Sequence, residues 1–277
     1  MTLFVQDIIS IMEAIAPPEL AEKWDNVGLQ IGKRNWPVQK VVTALDPCPE
    51  VFRDAIHQQA NLLITHHPLL FSPIKSIDLD SPVGAMIDDA LKNRLAVYAA
   101  HTNLDSTADG LNDILAQRIG LTNIAVLLSA ERPGESPKKN SLPVLQGLGR
   151  IGTLPQPTNL KTLALTIKKS LSLDHVAMVG NPEMAVYTIA VCTGSGAGLL
   201  SSVYASGAEV YVSGDLRYHD AREAEMNRLG LIDIGHFASE HLMVDALAAR
   251  LTEVFNARGD SVIVQASHVE NNPFVIL

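Results

Sequence analysis

The chain is predicted to be an α/β protein of two lobes with largely parallel sheets, and three observations carry that expectation. Short apolar runs of strand length alternate with amphipathic stretches of helical period. Polar residues close the apolar runs repeatedly, as they do where strands of an open parallel sheet deliver side chains at their carboxyl ends. The same plan of strand, polar turn and helix then recurs in the second half of the chain.

Residues 5–16 carry a helical period that stops at Pro17-Pro18, and the stretch Trp24-Asp25-Asn26-Val27-Gly28-Leu29 follows. Residues 41–45 read as a buried strand ending in Asp46, 49–60 as a helix opened by Pro49, and 62–65 as a second strand, which together make a βαβ unit. A helix over 83–94 and a strand over 95–100 lead into His101-Thr102-Asn103-Leu104-Asp105 and a helix over 110–119. Residues 129–141 are polar and turn-rich, the composition of a linker. Beyond them come a strand at 148–154, a helix at 160–171, strands at 176–179 and 186–192, and a helix after Gly198. A strand at 209–212 ends in Ser213-Gly214-Asp215, 218–229 is helical, a strand at 231–234 delivers His236, a helix runs from 238 to 257, and a strand covers 261–265. The expected domains are therefore 1–128 with 232–277 as one lobe and 142–231 as the other, joined by 129–141.

At 277 residues, with 47% hydrophobic and 18% charged, the chain can bury a substantial core. No apolar stretch reaches the roughly 18 to 20 residues of a membrane span. The N-terminus carries Asp7 and Glu13 and lacks a basic start, so it reads as an amphipathic helix and not a secretory signal, which favours the cytoplasm. Two cysteines, Cys48 and Cys192, exclude a cysteine-based zinc site by number and argue against a disulfide framework. A net charge of −9 argues against nonspecific binding to nucleic-acid phosphates.

The chemistry concentrates at the predicted strand ends. His66 and His67 close the run Leu62-Leu63-Ile64-Thr65, Asp105 follows the strand at 95–100, and His236 and Glu240 stand four apart, a spacing that shares one helix face. A single histidine is more often structural, but these types at successive strand ends form a ligand set. Five candidates exceed the three protein ligands usual for a single catalytic zinc, which favours a dinuclear site with Asp105 or Glu240 as bridge. His101 is a sixth ligand or a neighbour of the set. Asp46 and Asp25 are candidates to accept from the second nitrogen of a ligating imidazole, with helix capping the alternative for Asp46. His219 is a candidate general acid or substrate contact, or an exposed residue beside a capping Asp215. Cys192-Thr193-Gly194-Ser195-Gly196-Ala197-Gly198, between a strand and a helix, is either a phosphate cradle or a tight turn. His57, His175, His241 and His268 have no comparable partners in the sequence.

The Trp24–Leu29 stretch, Ile64-Thr65-His66-His67-Pro68-Leu69, Tyr98-Ala99-Ala100-His101-Thr102-Asn103-Leu104-Asp105, Ser213-Gly214-Asp215 with Tyr218-His219, and Ile232-Asp233-Ile234-Gly235-His236 through Glu240 resemble the motifs of the Nif-three-like family, whose members are often labelled GTP cyclohydrolase I type 2 homologues. The similarity runs over essentially the whole chain. It implies two α/β lobes, a dinuclear metal centre in the cleft between them, and a toroidal homohexamer. By motif position it assigns His66, His67, Asp105, His236 and Glu240 as metal ligands. It also implies the compact form, since longer relatives insert a further domain in the second lobe. Asp46-Pro47-Cys48 departs from the family pattern, which commonly has a small apolar residue and threonine after the aspartate.

The expected function is metal-dependent hydrolysis of a nucleotide-like or small phosphorylated substrate, with purine ring opening as the reaction the resemblance implies and His219 or His101 moving protons. Two divalent ions per chain are expected, and nitrogen and oxygen donors suit iron, manganese, zinc, nickel or cobalt. The alternative, from a different class, is a metal-binding scaffold or regulatory interaction protein without turnover.

Overall fold

A computed structural model describes residues 2–130 and 146–276. The chain divides into two compact units, one of Met1–Leu104 with Met243–Leu277 and one of Asp105–Leu242. The crossings thus fall at 104/105 and 242/243, and not at 128 and 232. The helix Leu111–Arg118 and the strand Thr122–Ser129 belong to the second unit, and most of the expected 129–141 linker lies outside the described residues.

The first unit is built on a five-stranded sheet in the order Ile263–Ala266, Lys40–Ala44, Leu62–Thr65, Ala96–Ala99, Gly28–Ile31. The first four strands are parallel and the last is antiparallel to its neighbour. Every residue of Leu62–Thr65 and of Ala96–Ala99 is buried, which accounts for continuous apolar runs in place of alternation. Val42, Leu63 and Val97 pack against Val51, Phe52 and Ala55 of the helix Pro49–His57 and against Met86, Ile87 and Ala90 of the helix Pro82–Lys92. Proline opens both helices, and the Ser81 hydroxyl accepts from the Gly84 amide to cap the second. The parallel strands Lys40–Ala44, Leu62–Thr65 and Ala96–Ala99 all present their carboxyl ends on one edge of the sheet, where Asp46, His66 and His101 follow.

The second unit holds a six-stranded sheet in the order Thr122–Ser129, Gly147–Asn159, Ala185–Ser195, Val210–Gly214, Gly230–Asp233, Ala177–Val179. Only the two pairings among Ala185–Ser195, Val210–Gly214 and Gly230–Asp233 are parallel, so this sheet is mixed where a largely parallel one was expected. The strand Thr122–Ser129 has no buried residue and hence no apolar period to betray it. The two faces of the sheet are legible in the central strands. Ile189, Val191, Val210 and Val212 pack on one side with Leu160, Leu163 and Ile167, while Ala190, Cys192 and Tyr211 pack on the other with Leu200, Val203 and Ala224. The single helix expected from 238 is two helices, His236–Glu240 and Leu242–Arg258, and the break coincides with the return of the chain to the first unit. No helix among the described residues is long and apolar enough to cross a membrane.

Candidate metal centre

In the first unit three imidazoles converge. The parallel ladder runs past Thr65, because the amides of His66 and His67 donate to the carbonyls of Ala44 and Leu45 at 3.2 and 3.0 Å. A continued strand would send consecutive side chains to opposite faces. The chain instead bends at 66–67, with the Thr65 hydroxyl donating to the His67 carbonyl at 2.8 Å, and the two rings come to 5.2 Å between centroids. His101, delivered by the neighbouring strand, lies 5.0 Å from His66 and 5.4 Å from His67 by the same measure. One ring nitrogen of each lies within 4.8 Å of those of the other two.

Each ring is held by its Nδ1. His66 Nδ1 is 2.9 Å from the carbonyl oxygen of Ala100, His67 Nδ1 is 2.7 Å from Asp46 Oδ1, and His101 Nδ1 is 2.8 Å from Asp25 Oδ1. Carbonyl and carboxylate oxygens accept, so Nδ1 donates in each contact, which leaves Nε2 as the candidate ligand atom of each ring. Asp25 is itself tied to the amide and hydroxyl of Thr102 and is buried, and although burial alone would raise its pKa, these partners and His101 together hold it down at about 2. Asp46 therefore orients His67 and does not cap the following helix, whose N-cap is Cys48. Its own backbone amide donates to Glu270 Oε1 at 2.6 Å.

In the second unit the carboxyl ends of three adjacent parallel strands supply Thr193 and Gly194, Asp215 and His236, while Asp105 comes from the short helix Thr102–Ser106. Asp105 and Glu240 are 8% and 3% exposed, and a carboxylate oxygen of each lies within 4.8 Å of the other. Asp105 accepts from the Thr193 hydroxyl at 3.2 Å, and Asn112 ties the Asp105 carbonyl to the Thr193 amide. His236 and Glu240 occupy the same face of one helical turn, with Nε2 and Oε2 2.9 Å apart. Asp215 takes the other nitrogen of His236 at 2.7 Å, the role that Asp46 and Asp25 play for the other rings. The Glu240 contact above all, with Asp215 beside it, raises the His236 pKa to about 9 against the opposing effect of burial.

Glycines make this packing fit. A Cβ on Gly194 would lie 2.1 Å from Glu240 Oε1, and one on Gly214 would lie 2.6 Å from the His236 amide nitrogen. The glycine-rich turn considered as a phosphate cradle thus has a steric reason of its own: at φ +65° Gly194 makes room for a candidate ligand. His219 is exposed on the helix Tyr218–Met226, its ring 5.5 Å from that of Tyr218. The donors that come together are nitrogen and oxygen. Burial pushes the Cys192 thiol up to about 12, so its sulfur stays protonated at neutral pH.

Residues 3–273 match the family model described as Duf34/NIF3 (NGG1p interacting factor 3). The chain belongs to the NIF3 family. Among NIF3 relatives, a Clostridium acetobutylicum protein named GTP cyclohydrolase 1 type 2 homolog is 32% identical, with 99% of each chain covered. A Bacillus subtilis protein of the same name is 30% identical over an alignment of 367 residues covering 98% of each, which makes it the longer protein by internal insertion. A Staphylococcus aureus hypothetical protein of known structure superposes with a TM-score of 0.91 at 31% identity over 100% of both chains. A Bacillus cereus protein related to NIF3 does so at 0.89 and 28% identity, over 99% of both.

Beyond the ligand set assigned by motif, this NIF3 chain brings His101 to His66 and His67 as an equal member of the imidazole trio. Asp215, for which helix capping was one of the alternatives, instead takes His236, and the cap of that helix is Arg217 with Asp220. Thr193, Asn112 and Ser239, which hold Asp105 and the Gly194 amide, carry no signal in the sequence beyond their polarity.

Proposed function

We propose that this NIF3 chain is a metal-dependent hydrolase. His66, His67, Asp105, His236 and Glu240 hold two divalent ions, in a homohexamer, and the substrate is nucleotide-like or a small phosphorylated compound. The observation that carries the reading is the common orientation of four histidines: each Nδ1 is engaged by an oxygen, which leaves Nε2 as the candidate ligand atom, and in His236 that nitrogen meets Glu240 at 2.9 Å. Buried structural histidines have no need of so uniform an orientation. Two buried carboxylates beside them complete a donor set suited to iron, manganese, zinc, nickel or cobalt.

Ions so held would supply Lewis acidity and a nucleophile at neutral pH. The protein's own part is to hold the rings, exclude water from the buried carboxylates and move protons. His101, half-buried with Nδ1 fixed on Asp25, offers Nε2 for proton transfer, and exposed His219 is the second candidate. The names of the relatives favour opening of the purine imidazole ring of GTP, in which C8 leaves as formate.

Protein purified without chelator is expected to contain about two metal equivalents per chain and to release formate from GTP, with His67→Ala as the inactive control. Formate release no higher than in that control removes the cyclohydrolase reading, and a metal content far below one equivalent removes the centre. The family's own description as an interacting factor favours a second reading, a metal-binding scaffold. A scaffold would keep its metal and show no turnover across a broad substrate screen.

A further inference from the structure

Two large aromatic side chains stand in solvent beside the imidazole trio. Trp24 is 58% exposed and Phe71 54%, their ring centroids are 5.7 Å apart, and both reach His101, at 5.9 and 6.5 Å. Contiguous exposed aromatic surface is rare on a soluble chain without a use. The backbone that presents these rings is tightly tied. Asp25, next to Trp24, holds His101 and Thr102, the Asn26 amide side chain donates to the Leu70 carbonyl at 2.6 Å, and the Leu70 amide donates to Gln30 Oε1 at 3.2 Å. The segments carrying Trp24 and Phe71 are therefore bound to each other, and a flat ligand meeting them would find its platform already ordered.

Phe71 is also a wall of a pocket of about 400 Å³ whose other apolar lining includes Leu69, Ile74, Ile77, Val83 and Ile87. That volume is of the size that takes small ligands. The shapes and chemistry on hand are an aromatic face, an adjoining apolar recess, and a ring of imidazoles within one side chain's reach.

We infer that Trp24 and Phe71 form a stacking subsite for a planar heteroaromatic ring, placing the ring against His101. The inference rests on the nucleotide-directed reading above and deepens it: the base is gripped by the first unit through its π face, and phosphate recognition is not needed there. Stacking of a base on an aromatic side chain tolerates any base, so the subsite selects planarity over hydrogen-bonding pattern.

The chain has two tryptophans, Trp24 and Trp36, so a Trp36→Phe background leaves Trp24 as the only indole. In that background guanosine should quench the fluorescence saturably and ribose 5-phosphate should not. By calorimetry on the metal-loaded chain, Trp24→Ala and Phe71→Ala should each weaken guanosine binding roughly tenfold or more, Trp24→Phe should retain most of it, and Met226→Ala, an exposed apolar residue elsewhere, should change nothing. Guanosine affinity unchanged in both alanine variants overturns the inference, as does absence of saturable guanosine binding. Loss of subunit assembly in Trp24→Ala with guanosine affinity intact assigns the pair to an interface and also overturns it. Guanosine binding that depends on Trp24 without formate release leaves the subsite standing and removes only the cyclohydrolase reading. Formate release with a KM for GTP untouched by Trp24→Ala does the reverse.

Discussion

Asp46 and Asp215 perform the same task at different strand ends, each taking the Nδ1 of a histidine at 2.7 Å. Removing such an acceptor frees the ring to rotate and lowers its basicity, which typically costs 10–100-fold in metal affinity. Asp46→Ala and Asp215→Ala are expected to lose metal in that range in competition with a chelator of known strength while keeping their circular dichroism; affinities equal to wild type would show that the pairs do not orient ligands. Gly194 sets a second test. Gly194→Ala combines a left-handed backbone at φ +65° with a Cβ 2.1 Å from Glu240 Oε1, whereas Gly207→Ala at φ +76° meets nothing within 4 Å. Both variants should lose about 1–2 kcal/mol of stability from backbone strain, and only Gly194→Ala should also lose metal. Equal metal content in the two would remove the steric argument for that glycine.

At the scale of elements, the mixed sheet of the second unit depends on one buried charge. Arg150 is fully buried in the strand Gly147–Asn159 and forks onto both oxygens of Asp113 in the helix Leu111–Arg118, at 2.7 Å each. It also donates to the carbonyls of Gly147, Gly149 and Thr107. These bonds join strand, helix and the segment just after Asp105. Arg150→Ala would leave Asp113 charged and buried, and urea unfolding is expected to show a loss of about 3–5 kcal/mol. Arg150→Lys should recover little, because an ammonium cannot form the fork. A loss under about 1 kcal/mol for the alanine variant would mean that water replaces the guanidinium. Helices were legible in the sequence: those expected over 49–60, 83–94 and 160–171 are found at Pro49–His57, Pro82–Lys92 and Leu160–Ser170, within a few residues of their expected bounds. The strand Thr122–Ser129 was not, since an edge strand with no buried residue leaves no period to read.

For the whole molecule, the proposed metal binding is expected to act on folding stability. Metal at a thousandfold excess over its Kd is expected to stabilise the chain by about 4 kcal/mol, and either His66→Ala in one unit or Glu240→Ala in the other should abolish that gain. Full stabilisation retained in one of the two variants would assign the ligands to separate sites. Light scattering should return six times the 29.8 kDa chain mass if the toroid forms. The sequence alone determined the α/β class, the buried strands of the first unit and the histidine and carboxylate groups at candidate positions after strands, because buried strands leave a local pattern of apolarity and candidate ligands one of type and spacing. Only the tertiary structure decided that His101 stands level with His66 and His67, that Asp215 serves His236, and that Gly194 admits Glu240. Those relations join residues distant in the chain through close packing and hydrogen-bond direction, and neither leaves a local mark in the order of amino acids.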